Sequence, residues 1–263
     1  MANVSSASHL SAEVVFFFSG SLDHAVGIVV NCWALWLIVS GKHSTIASEL
    51  LTLNLLTVET FNSFCFFLSL IKTLLKVGSL VTFINFHRGM SVAGRAMFQC
   101  HVCVDRYLAV VHPMVFIRYK QLRCRGSCLA AVWLVVVCCG LTNAHLSGNI
   151  TMLSFCSGAI LAPALFIELF CSLSIVRILR RPKPGSKAQE KKEGDQQKKR
   201  AVRIIGVVLG MLVFNVVPFI VFPLFTKISP AVWSPIALTF ATFGSSTQAF
   251  LFLSRAGVLA CKR

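Results

Sequence analysis

The stretch "CVDRYLAVVHP", Cys103 to Pro113, closes a long apolar run and opens a basic one. Asp105 and Arg106 stand side by side where that run ends. Two full charges at the end of an apolar helix need either water or a dedicated partner. What surrounds the pair decides which solvent the helix lives in.

Working outward, the chain of 263 residues is 56% hydrophobic and only 13% charged, which is too apolar for one soluble domain. Lipid absorbs that much apolar surface where a protein core does not. The net charge of +16 would suit nucleic acid only if the basic residues shared a folded, soluble face. They fall between apolar runs instead, which argues against a nucleic-acid partner. Of the cysteines, Cys32, Cys65, Cys100, Cys103, Cys138, Cys139 and Cys171 lie inside apolar runs, where thiols behave as small hydrophobes.

A spanning helix takes roughly 20 mainly apolar residues. Seven stretches qualify, at about 14–39, 47–75, 79–110, 127–147, 152–179, 202–226 and 231–253. The fold class is therefore an all-α membrane protein, a seven-transmembrane helix bundle over 14–253. Residues 1–13 precede it, 180–201 form its longest polar loop, and 254–263 form a short tail. The polar start lacks the basic residues and cleavage site of a signal peptide, so the first span is expected to stay.

Orientation follows the basic residues. With the amino terminus outside, only Lys72, Lys76, Arg88, Arg95 and Lys227 of the 25 Lys and Arg fall away from the inner face. The sequons Asn3-Val4-Ser5 and Asn149-Ile150-Thr151 then both lie outside, where glycosylation is possible. The loop "RRPKPGSKAQEKKEGDQQKKRAVR" is broken by Pro182, Pro184 and Gly185. Its middle reads as solvated linker, and its ends as basic helical turns facing anionic membrane lipids or a partner.

With seven spans in place, Asp105, Arg106 and Tyr107 sit at the inner mouth of the third. The chain resembles the rhodopsin-like (class A) G protein-coupled receptors, whose Asp/Glu-Arg-Tyr motif stands there. Asn31, the segment "LNLLTVE" with Glu59 in place of the usual Asp, Trp133, Pro163 and Pro218 fit further family positions. The resemblance implies a plasma-membrane, multi-pass receptor with an extracellular ligand and a heterotrimeric G protein as partners. It also implies that Asp105 holds Arg106 at rest, and that Arg106 receives the G protein once the inner helix ends part.

Several family features are altered. Lys198 stands where the sixth helix often carries an acid, and Val81 replaces the outer cysteine of the third helix, so the usual outer disulfide is not formed. The sixth-helix motif reads "NVVP" at Asn215 to Pro218, and the seventh "QAFLF" at Gln248 to Phe252. These changes leave open a non-signalling, receptor-like protein that binds ligand or partners other receptors.

Two further constellations carry chemistry. Glu59 and Arg95 lie roughly 18 and 22 Å from the inner face at 1.5 Å rise per residue. An unpaired charge at that depth is costly, so the two form a candidate buried ion pair, with Glu168 as the alternative partner for Arg95. In the related receptors this region holds sodium, and a guanidinium would take the cation's place. Nearer the outside, Arg88 lies seven residues before Arg95 and shares its face to within about 20°. Its planar fork suits a carboxylate or phosphate, so the expected ligand is a small anion or lipid acid. Lys72 and Lys227 at the outer mouth would steer it, with His87 on the flank serving structure more than contact. Pairing of Arg88 with Asp23 is the competing reading.

"CHVC" at Cys100 to Cys103 has no second metal half-site, so neither metal nor cofactor is expected. No Ser/His/Asp order, HExxH or phosphate loop points to an enzyme.

Overall fold

The computed structural model describes residues 2–41, 49–76, 78, 80–119, 121–146, 150–180, 202, 206–207, 209–210, 213 and 246–255. The described residues form seven helices: α1 (Ala2–Val39), α2 (Leu50–Leu75), α3 (Val81–Val111), α4 (Pro113–Tyr119), α5 (Leu122–His145), α6 (Ile150–Leu179) and α7 (Thr247–Arg255). These are not the seven expected spans. The short α4 lies in the loop after the third span, so α5 and α6 are the fourth and fifth spans. The sixth expected span is represented by a few residues, and the seventh by α7 alone.

Among the described residues, four helical segments are long and apolar enough to cross a membrane: Phe17–Val39, Leu50–Leu75, Arg123–His145 and Gly158–Leu179. Helix α1 begins at Ala2, earlier than the expected start at 14, because no Gly or Pro precedes Gly20 to stop it. Its apolar portion still begins only at Phe17.

Helix α3 is 31 residues long yet falls outside that apolar set, and its position explains why. It packs against α2, α5 and α6, so its polar residues face protein on several sides. Two buried clusters hold it in place. Phe98 joins Leu55 and Val58 of α2 and Val136 of α5, while Ala96 and Cys100 meet Leu161 and Ala164 of α6. A third cluster ties Ala34 and Ile38 of α1 to Leu56 of α2 and Phe252 and Leu253 of α7.

Small residues set the closest approaches. A Cβ on Gly20 would lie 2.6 Å from the Phe66 ring, so glycine lets α1 and α2 meet there. Polar groups supply the remaining register. Trp133 Nε1 donates to Asn54 Oδ1 at 3.1 Å, linking α5 to α2. His24 Nδ1 and Ser63 Oγ lie 3.0 Å apart between α1 and α2. With lipid outside, such bonds are worth about 1 kcal/mol each and specify which faces meet. The described cysteines are all unbridged.

Candidate functional site

The polar residues of α3 fall into three levels along its axis, and each level meets a different neighbour. The middle level is the most enclosed. Arg95 donates from Nε to Glu59 Oε1 at 2.5 Å and from Nη2 to Glu59 Oε2 at 2.7 Å. Both carboxylate oxygens are engaged by one guanidinium fork, the arrangement that best offsets the cost of burying the two charges. The side chains are only 13% and 4% exposed. Asp23 of α1 adds a second negative charge that Arg95 feels.

The alternative partner, Glu168 of α6, is occupied elsewhere. It is fully buried, accepts from Gln99 Nε2 at 2.8 Å and takes a weak bond from the Cys103 thiol at 3.4 Å. The reach of the side chains explains the division. Gln99 lies one helical turn beyond Arg95, so Glu168 meets a neutral amide while Glu59 meets the charge.

The level at the end of α3 departs from expectation. Asp105 is paired with Arg125 of α5, not with its neighbour Arg106. Adjacent residues on a helix project about 100° apart and do not face one another, so a partner from another helix holds the geometric advantage. Arg125 is almost fully buried, and its guanidinium carbon stacks 5.6 Å from the Phe116 ring and 5.7 Å from the Tyr119 ring. Both rings belong to α4, so one arginine fastens the loop helix to α3 and α5. Tyr119 Oη and His101 Nε2 complete the fastening at 2.5 Å. Burial, followed by the field of Asp105, pushes the Tyr119 phenol up to about 12, so it is neutral at physiological pH.

Arg106 is half-buried and has no hydrogen-bond or ion-pair partner among the described residues. Tyr107 Oη lies 3.3 Å from His112 Nε2 at the same mouth. The three motif residues are thus close in sequence but engaged separately: Asp105 with α5, Tyr107 with the end of α3, and Arg106 with neither.

The level near the start of α3 holds Arg88 and His87. His87 is buried, with Ser91 Oγ 3.1 Å from Nε2 and the Phe61 ring against it at 5.3 Å. Those contacts consume the imidazole in packing between α3 and α2. Arg88 is half-buried and makes no ion pair with Asp23 or any other described residue. Lys72 lies in the last turn of α2, where its carbonyl accepts the capping N–H of Lys76. Lys227 and Asn149 lie outside the described residues, and Asn3 falls in the first turn of α1. Among the described residues no group of His, Cys, Asp and Glu is placed to hold a metal ion.

Arg125 is the paired residue that sequence reasoning missed. Its signal was partial: it is one of two basic residues, with Arg123, in the first turn of an apolar helix, just beyond a loop that carries Phe116 and Tyr119.

No family model matches the chain. Over 142 residues, 49% of this chain, it is 28% identical to G-protein coupled receptor 183 of Mus musculus, covering 38% of that protein. Over 142 residues it is 26% identical to G-protein coupled receptor 183 of Homo sapiens, covering 37% of that protein. The matched stretch therefore spans well under half the length of these curated relatives. Taken with the apolar helices, this distant similarity supports a relationship to the G protein-coupled receptors and a receptor-like role in a membrane.

Proposed function

We propose that the chain is a seven-helix receptor of the plasma membrane, amino terminus outside, that relays an extracellular ligand to a heterotrimeric G protein through Arg106. The observation that carries this reading is the state of Arg106. It stands at the inner mouth without an ion-pair or hydrogen-bond partner among the described residues, because Arg125 has taken Asp105. An arginine in that state can enter a cavity between parted helix ends without first breaking a pair.

Arg88 supports the ligand half of the reading. A half-buried guanidinium without a described partner, two turns below the start of α3, suits a carboxylate or phosphate. The ligand class that follows is a small anion or lipid acid. Glycosylation at Asn3 and Asn149 would belong to the outer face in the same orientation.

The altered motifs at Asn215 to Pro218 and Gln248 to Phe252 favour a second reading, a receptor-like binder that does not signal. Cells expressing the protein at a verified surface level separate the two. A panel of G protein activation assays, with and without acidic lipids, nucleotides and small carboxylates, should give a signal that Arg106→Ala removes. Silence across the panel at normal surface delivery, with ligand still bound, is the outcome expected of the non-signalling protein.

A further inference from the structure

Helices α5 and α6 are joined by residues 146–149, and so short a connection makes them antiparallel neighbours. Counting from it places two cysteines at one level. Cys139 lies six residues before His145, where α5 ends, and Cys156 lies six residues after Ile150, where α6 begins. At 1.5 Å rise per residue, both stand about 9 Å from the connection. They also face the same space. A gap of about 410 Å³ between these helices and α3 is lined by both cysteines, with Cys138 beside them. Cys139 and Cys156 are half-buried, and a charge on Cys156 reaches Cys139.

The two helices differ in how firmly they are held at this level. A Cβ on Gly89 of α3 would fall 2.6 Å from the Cys139 carbonyl oxygen, so glycine seats α5 tightly on α3 here. Helix α6 is anchored deeper. Its Leu161 and Ala164 pack against Ala96 and Cys100 of α3, and among the described residues no α6 side chain before Leu161 is buried. Met152 is 54% exposed, and α5 and α6 scarcely touch one another. Cys156 therefore stands on a stretch that can lean toward a fixed Cys139.

We propose that Cys139 and Cys156 form a disulfide that ties the outer turns of α6 to α5. Both are thiols in this structure, which shows the reduced form. A bridge needs Cα atoms about 4.4–6.8 Å apart, and a swing of the unanchored turns of α6 across the gap supplies that approach. The inference rests on the amino terminus lying outside, because residues 146–149 then face the oxidising side of the membrane, where disulfides form and persist. The oxidant is the disulfide of a secretory-pathway oxidoreductase. One cysteine thiolate attacks it, giving a mixed disulfide and one oxidoreductase thiolate. The second cysteine thiolate attacks the receptor-side sulfur of the mixed disulfide, forming the Cys139–Cys156 bond and expelling the other oxidoreductase thiolate. The two thiol protons end on the oxidoreductase, which leaves as a dithiol. Oxidation closes the gap and fixes the spacing of α5 and α6, and reduction releases it.

The full chain expressed in mammalian cells, with free thiols alkylated by N-ethylmaleimide before lysis, tests the bond. Digestion without reduction should yield a peptide pair linked through Cys139 and Cys156, seen by mass spectrometry and released by dithiothreitol. The pair should persist in Cys138→Ser and disappear in Cys156→Ser, with Cys139 then alkylated. Reduction should lower the unfolding midpoint of the parent by roughly 5–10 °C, the scale of a short closed loop, and leave that of Cys156→Ser unmoved. An epitope at the amino terminus, stained on intact cells, reads the orientation separately, so a missing bond is not confused with a reversed topology. With the terminus outside, alkylation of both Cys139 and Cys156 in the surface-delivered parent, or a bridge from Cys156 to a different cysteine, would overturn the proposal.

Discussion

The two ion pairs of α3 differ in what they leave behind. Midway along α3, Arg95 spends its fork on both oxygens of Glu59. At the C-terminal end of α3, Asp105 turns to Arg125, and the arginine next to it in sequence has no ion-pair partner among the described residues. The first arrangement closes a site and the second opens one. Burial does not account for the difference, because every side chain in the two pairs is at most 13% exposed. What differs is the supply of arginines: Arg95 alone meets Glu59, whereas Asp105 has Arg125 of α5 as well as its sequence neighbour Arg106, and only one of them pairs with it. The same kind of interaction therefore serves stability in one place and availability in the other.

The comparison can be broken most sharply at the middle. Removing one partner of a buried pair typically costs about 3–5 kcal/mol, because the other charge is stranded. Glu59→Gln and Arg95→Gln should each lower thermal stability and surface expression on that scale. The double variant should recover part of the loss, since no orphan charge remains. Equal losses in single and double variants, measured as unfolding midpoints of purified protein, would show that the pair is not the source.

Arg88 sharpens the distinction between paired and available arginines. If it receives an anion, Arg88→Ala should weaken binding of an identified acidic ligand by about 2–5 kcal/mol, the usual cost of truncating a buried charge partner. Arg88→Lys should restore only part, because an ammonium lacks the planar fork. Isothermal titration of the two variants checks this, and unchanged affinity in both would remove Arg88 from the site.

A smaller effect is expected at the mouth. Arg125→Gln leaves the enclosed Asp105 without its partner and removes two ring contacts, but the charge of adjacent Arg106 offsets part of the loss, which should be about 1–3 kcal/mol, less than at Glu59. The variant should also loosen α4, read as faster hydrogen exchange over Pro113–Tyr119. A loss as large as that of Glu59→Gln would show that the two pairs do the same work.

The smallest expected effect is none. Arg95 already supplies the positive charge beside Glu59, and a second cation there would be repelled. Unfolding midpoints in sodium and choline chloride at equal ionic strength should coincide. A sodium-specific stabilisation that disappears in Glu59→Gln would mean that the carboxylate is open to ions.

Much of this was legible in the sequence because lipid simplifies the reading. Apolar length marked four of the seven expected spans among the described residues, and counting along the second and third helices brought Glu59 and Arg95 to similar levels; in the structure their side chains meet. The mouth was harder. Which arginine takes Asp105 depends on how the short helix Pro113–Tyr119 lays Phe116 and Tyr119 against α5, a tertiary event with no sequence period. The start of α1 at Ala2 was missed because polarity marks the edge of a membrane and not the edge of a helix.

The most direct test of the account is nucleotide exchange on purified heterotrimeric G protein by the reconstituted chain, compared with Arg106→Ala. The account predicts that exchange above the empty-membrane background is lost in the variant while its unfolding midpoint stays near the parent, since Arg106 holds no ion pair among the described residues whose loss would destabilise the fold. Exchange that survives Arg106→Ala undiminished would contradict it.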